Sequence, residues 1–128
     1  MFRSCCFLLC FLLTLTTRAA VELGIDRLQA QDFAILEGKR VGLVTNHTGV
    51  DRCGRRAVDL LVATPGVQVV ALFAPEHGLG GTARGGAVIR SGRDSASGVP
   101  VISLYGERQA PTAAMLRGVD VLARVLGR

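Results

Sequence analysis

Two short polar turns hold the side chains of this 128-residue chain that are suited to acid–base chemistry: Asn46-His47-Thr48-Gly49 and Pro75-Glu76-His77-Gly78. Each follows an apolar run. A carboxylate held in a partly dry setting keeps its proton toward neutral pH and can act as a general acid. An imidazole beside it can orient it or grip a polar substrate. Tyr105-Gly106-Glu107 makes a third turn of the same kind. Glu76 can instead cap a following helix, and histidines at turns often only satisfy nearby backbone. Two imidazoles and a carboxylate also match a zinc site in composition. Neighbouring side chains such as Glu76 and His77 diverge on a turn, however, and no H-E-x-x-H or clustered-cysteine pattern supplies the usual scaffold. No metal site is assigned.

The elements that must position these turns are legible from hydrophobic pattern. Residues 41–45, 67–73 and 99–105 read as strands buried on both faces, and residues 119–122 begin a fourth. Between them, residues 26–37 carry a helical stripe ended by Gly38. Val58, Leu61 and Val62 make a second stripe closed by Pro65-Gly66, and residues 111–116 a third, opened by Pro111 and ended by Gly118. Strands alternating with helices predict an α/β fold, a Rossmann-like doubly wound parallel sheet. Parallel strands would gather the three turns on one edge, where such folds bind ligands. Residues 79–98 are glycine-rich and poor in large apolar side chains, a long loop expected to cover or flank a site. Residues 123–128 look too charged to continue a buried strand.

The first nineteen residues read as an export signal: Arg3, an apolar run from Cys5 to Leu15, then small residues around Ala19. The run is shorter than a membrane span, so no stable anchor is expected after cleavage. Export to the periplasm or medium follows. Cys5, Cys6 and Cys10 fall in this leader and leave Cys53, read as an incidental thiol. Losing Arg3 and Arg18, with no acid, lowers the formal charge from +5 to +3. The arginines are scattered and no aromatic residues interleave them, which argues against nucleic acid as a partner. No G-x-G-x-x-G follows the first strand and Gly81 to Gly86 lacks the lysine and hydroxyl of a phosphate loop, so no cofactor is assigned. Asn46-His47-Thr48 also fits a glycosylation sequon.

Taken in order, Gly42-Leu43-Val44-Thr45-Asn46-His47-Thr48-Gly49, Phe73-Ala74-Pro75-Glu76-His77-Gly78, Ser103-Leu104-Tyr105-Gly106 and Pro111-Thr112 resemble the NamZ-type exo-β-N-acetylmuramidase family. The resemblance spans about Leu23 to Leu122. It implies an exported bacterial glycosidase that releases terminal N-acetylmuramic acid from peptidoglycan-derived muropeptides or disaccharides. It also implies a Rossmann-like N-terminal domain, a second domain, and a site in the cleft between them. By the same resemblance, Glu76 is the acid that protonates the glycosidic oxygen. Asn46, His47 and His77 orient Glu76 or hold the sugar, and Tyr105 walls the pocket or packs into the core. The basic residue that members carry near the position of Gly80 is absent.

The resemblance also implies that the fourth strand should run on and that a second domain should follow. The reading from sequence is therefore a signal at 1–19, the N-terminal part of a Rossmann-like catalytic domain at 20–122, and a divergent tail at 123–128 with the second domain missing. Such a form would be inactive and marginally stable, with an open strand edge. Two other functions fit some of these features: a non-catalytic fragment that binds wall sugars, and a metal-dependent hydrolase.

Overall fold

A computed structural model describes residues 21–75, 78–81, 92–106 and 109–127. The leader, Glu76, His77, Glu107, residues 123–128 only as far as Gly127, and the middle of the glycine-rich stretch fall accordingly: all but 123–127 lie outside the described residues.

The helical stripe of residues 26–37 resolves into two pieces. Helix α1 covers Gly24–Ala30 and a 3₁₀ turn covers Ala34–Leu36. Between them Asp32 and Phe33 take left-handed backbone, with φ of 49° and 53°. The break lets Phe33 and Leu36 both reach the core beside Ile25 while Ile35 stays outside.

Strand β1 (Arg40–Thr45) leads through a loop to helix α2 (Ala57–Val62), whose Ala57, Val58 and Leu61 face inward. Strand β2 (Gln68–Ala74) returns beside β1, with one register shift at Val41/Gly42. Next come β3 (Gly92–Arg93), β4 (Pro100–Ser103) and β5 (Val121–Val125). The order across the sheet is β3-β4-β2-β1-β5. β1 is parallel to β2 and β5, and β4 is parallel to β2. The four parallel strands thus follow the three-two-one-four order of a Rossmann half. The sheet is mixed, not wholly parallel, because Gly92–Arg93 pairs antiparallel with β4 at the end of the expected loop.

Both faces of the sheet are covered, and the period-2 alternation of β2 shows how. Leu72 joins Val41, Leu43, Val58 and Leu61 under the helices. Ala71 and Phe73 face the other way, toward Leu104, Met115 and Leu116. Residues 109–118 cover that second face as turns, where a helix was expected at 111–116. The Met115 and Leu116 amides both donate to the Thr112 carbonyl, at 3.0 and 3.1 Å. With Pro111 at one end and Gly118 at φ 82° on the other, the segment is too short to propagate a helix.

β5 runs on through Ala123 and Arg124 to Val125, contrary to the expected break at Ala123. Among the described residues it lies at the edge of the sheet, so there it need bury only one of each pair of residues. Its exposure alternates, with Leu122 and Arg124 outward, and that tolerates the charge. Its start is clipped to β1 by Arg40 and Asp120: the Arg40 amide donates to Asp120 at 2.9 Å and the guanidinium at 2.8 and 3.0 Å. Among the described residues, no helix is long and apolar enough to cross a membrane.

Candidate active site

The strand registers set Thr45 opposite Val125, Val44 opposite Phe73, and Ala74 opposite Ser103. The carboxyl ends of β1, β2, β4 and β5 therefore share one edge. Tyr105, Pro75, Asn46 and Leu126 leave it in that spatial sequence. The direction of winding reverses between β1 and β5, which is where open α/β sheets place a ligand crevice.

The turn after β1 is braced from the β5 side. The Thr45 hydroxyl donates to the Val125 carbonyl at 2.8 Å. The Asn46 Oδ1 accepts from the Thr48 amide at 2.9 Å and its hydroxyl at 2.6 Å, while Thr48 Oγ1 accepts from the Gly127 amide at 2.9 Å. Gly49 closes the turn, its amide donating to the Asn46 carbonyl at 3.0 Å. A β-carbon at Gly49 would meet Thr45 Oγ1 and would lie 2.6 Å from the Val125 carbonyl oxygen, so only glycine fits. Since Oδ1 of Asn46 is spent inside the turn, its Nδ2 is the group it can offer a substrate.

His47 projects from this turn and is exposed. Its imidazole lies against Gly81, whose φ is +67°. Gly81 ends a turn that starts from Pro75: the Gly78 amide donates to the Pro75 carbonyl at 3.2 Å and the Gly81 amide to the Gly78 carbonyl at 3.4 Å. The structure thus brings Asn46 and His47 together with the 78–81 turn. Tyr105 stands at the same edge beyond β2, 37% exposed. Glu76 and His77 lie outside the described residues; their chain neighbours Pro75 and Gly78 leave the end of β2 at this edge.

Sequence pattern did not reveal the charge network beside this edge. Asp94 is buried and accepts from both Arg56 terminal nitrogens, at 3.2 and 2.8 Å, and from the Ser97 amide and hydroxyl at 2.9 and 2.6 Å. The Arg56 guanidinium holds its carboxyl down at about 2; burial opposes this and Ser97 adds to it. Arg56 also reaches Asp59 at 3.1 Å. A cleft of about 380 Å³ is lined by Arg56, Leu79, Gly80, Arg93 and Asp94, and the Arg93 guanidinium donates to the Gly98 carbonyl at 2.9 Å. The only trace of this in the sequence is the Asp94-Ser95-Ala96-Ser97 stretch, suited to a carboxylate-capped turn.

Asp51 organises the loop before α2. Burial pushes its carboxyl up, but the Arg55 and Cys53 amides and the Arg55 guanidinium outweigh this and hold it below the ordinary value. Cavity size does not select the site. A cavity of about 720 Å³ runs along α2, between Phe33, Arg55, Leu60 and Pro65, and among the described residues neither His47 nor residues 78–81 line it. Among the described residues no group of three or more His, Cys, Asp or Glu side chains could hold a metal. Cys53 is free and exposed.

A Rossmann-ordered sheet with polar turns at its carboxyl edge defines a Rossmann-like α/β domain. The family model for the N-terminal part of exo-β-N-acetylmuramidase NamZ matches residues 41–126, and the chain belongs to that family. The match passes Ala123, as β5 does. The chain is 45% identical over 102 residues to the peptidoglycan β-N-acetylmuramidase NamZ of Bacillus subtilis (strain 168), covering 80% of this chain and 25% of that protein. Two crystal structures of DUF1343 family proteins from Bacteroides fragilis share the fold. One has a TM-score of 0.76 at 43% identity, over 87% of this chain and 27% of that one. The other has a TM-score of 0.63 at 31% identity, over 84% and 26%. The chain thus spans about a quarter of the length of the relatives it matches.

Proposed function

We propose that this chain supplies the catalytic N-terminal part of a glycosidase that releases terminal N-acetylmuramic acid from peptidoglycan fragments. One observation carries the reading. The family match at residues 41–126 includes every turn singled out for its chemistry, and those turns leave one edge of the sheet.

In this reading Glu76 delivers its proton to the glycosidic oxygen as the bond to the anomeric carbon breaks. His47 and His77 orient that acid or bind the sugar, Asn46 offers Nδ2, and Tyr105 forms a wall. The leader at residues 1–19 would carry the protein out of the cytoplasm, to where peptidoglycan fragments arise. The activity is that of the longer protein, since a cleft needs a second wall.

The test is a chimera in which this chain replaces the matching segment of the Bacillus subtilis relative, assayed on a chromogenic glycoside of N-acetylmuramic acid. Cleavage by the folded chimera is expected. A folded chimera that binds the sugar without cleaving it would move the reading to a wall-sugar binder. Activity lost to chelators and restored by zinc would move it to a metal-dependent hydrolase.

A further inference from the structure

Gly81 lies four residues beyond His77, and the sequence reading gave it no role beyond the rejected phosphate loop. A β-carbon built there would have the His47 ring as its nearest neighbour, with Nδ1, Cγ and Cε1 the three closest atoms. The ring therefore lies over the Gly81 α-carbon with its Nδ1 edge inward. We propose that Gly81 is a positioning residue whose missing side chain is the seat of the His47 imidazole, locking the turn after β1 to the turn after β2 and leaving Nε2 to face the sugar. This rests on the proposed glycosidase reading for what His47 then does.

The physical argument has two parts. The Asn46–Thr48–Gly127 hydrogen bonds fix the backbone of the turn that carries His47. An exposed imidazole on a fixed backbone still has two rotatable bonds, and the flat contact with Gly81 removes that freedom. Any L side chain at 81 would occupy the ring's place and would also strain a backbone at φ +67°. Gly54 separates these two effects, because its φ is +78° and nothing lies within 4 Å of the β-carbon it would carry.

The experiment compares G81A, G54A, H47A and G81A/H47A in the full chain. Ring resonances of His47 are followed by NMR, thermal stability by melting, and N-acetylmuramic acid affinity by calorimetry. G54A should leave the His47 resonances and the affinity unchanged. G81A should shift the resonances and weaken the sugar about tenfold, and that factor should vanish in the H47A background. If G81A fails to fold and G81A/H47A folds, the seat is supported. Unshifted resonances in G81A, an equal loss with and without His47, or failure of both variants to fold would each overturn it. If the wild-type chain binds no sugar, the affinity comparison moves to the chimera, whose failure to cleave would remove the glycosidase reading, while the resonances and the melting cycle still decide the seat.

Discussion

The Thr48 hydroxyl accepts from the Gly127 amide at 2.9 Å and donates to the Asn46 carboxamide at 2.6 Å, joining positions 79 apart in the chain. One hydroxyl thereby ties the residue after β1 to the residues after β5, at the point where the winding of the sheet reverses.

Replacing Thr48 tests that tie. T48V keeps the shape and removes both hydrogen bonds, leaving the Asn46 oxygen and the Gly127 amide each short of a partner. We expect a loss of about 1–2 kcal/mol in urea unfolding. T48S should stay within about 0.5 kcal/mol of wild type.

Glycine plays different parts along the chain, and a pair of alanine substitutions separates them. G49A puts a β-carbon against Thr45 Oγ1 and the Val125 carbonyl, and should cost about 2 kcal/mol or more. G24A, at the start of α1 with nothing within 4 Å, should be neutral or stabilising by a few tenths of a kcal/mol. Melting curves of the two should shift in opposite directions or only the first should shift.

Acid unfolding should report the buried carboxylate beside Arg56. Asp94 titrates at about 2 in the fold, against about 3.9 when unfolded. A depressed folded value means that the unfolded state binds the proton more tightly. The stabilisation is complete above about pH 4 and is lost as pH falls toward 2. Asp51 and Asp120, both held low by arginines, act in the same direction. D94N should flatten this acid limb while leaving the slope above pH 5 unchanged.

For the chimera, E76Q keeps the size of the side chain and removes the transferable proton. A fall in kcat of about 10²- to 10⁴-fold is expected, with KM changed far less. Equal loss in both would assign Glu76 to binding.

Much of this arrangement was legible. β1, β2 and β4 announce themselves as apolar, β-branched runs, and the parallel alignment of β1 with β2 follows from the helical stripe between them. The break at Asp32-Phe33 was not legible, because nothing local demands left-handed backbone there; it is set by the core's need for Phe33. β5 was cut short at Ala123 because charge was weighed as if the strand were central, whereas an edge strand can turn Arg124 to water. The brace from Thr48 to Gly127 and the Arg56–Asp94 pair join residues 79 and 38 apart, a distance at which pattern carries no signal. Glu76 was singled out from its place after β2 and lies outside the described residues.

The pairing of β1 with β5 has a kinetic consequence. β1 lies inside the sheet between β2 and β5, yet one of its edges is filled by residues 80 positions later, as Arg40 and Asp120 show. A contact of that separation has a large loop-closure cost and forms late. During synthesis the β1–β2 pair must wait with an open edge until β5 has left the ribosome, and in that interval the chain is most exposed to mispairing. The Asp120 clip is the first contact that can end the wait.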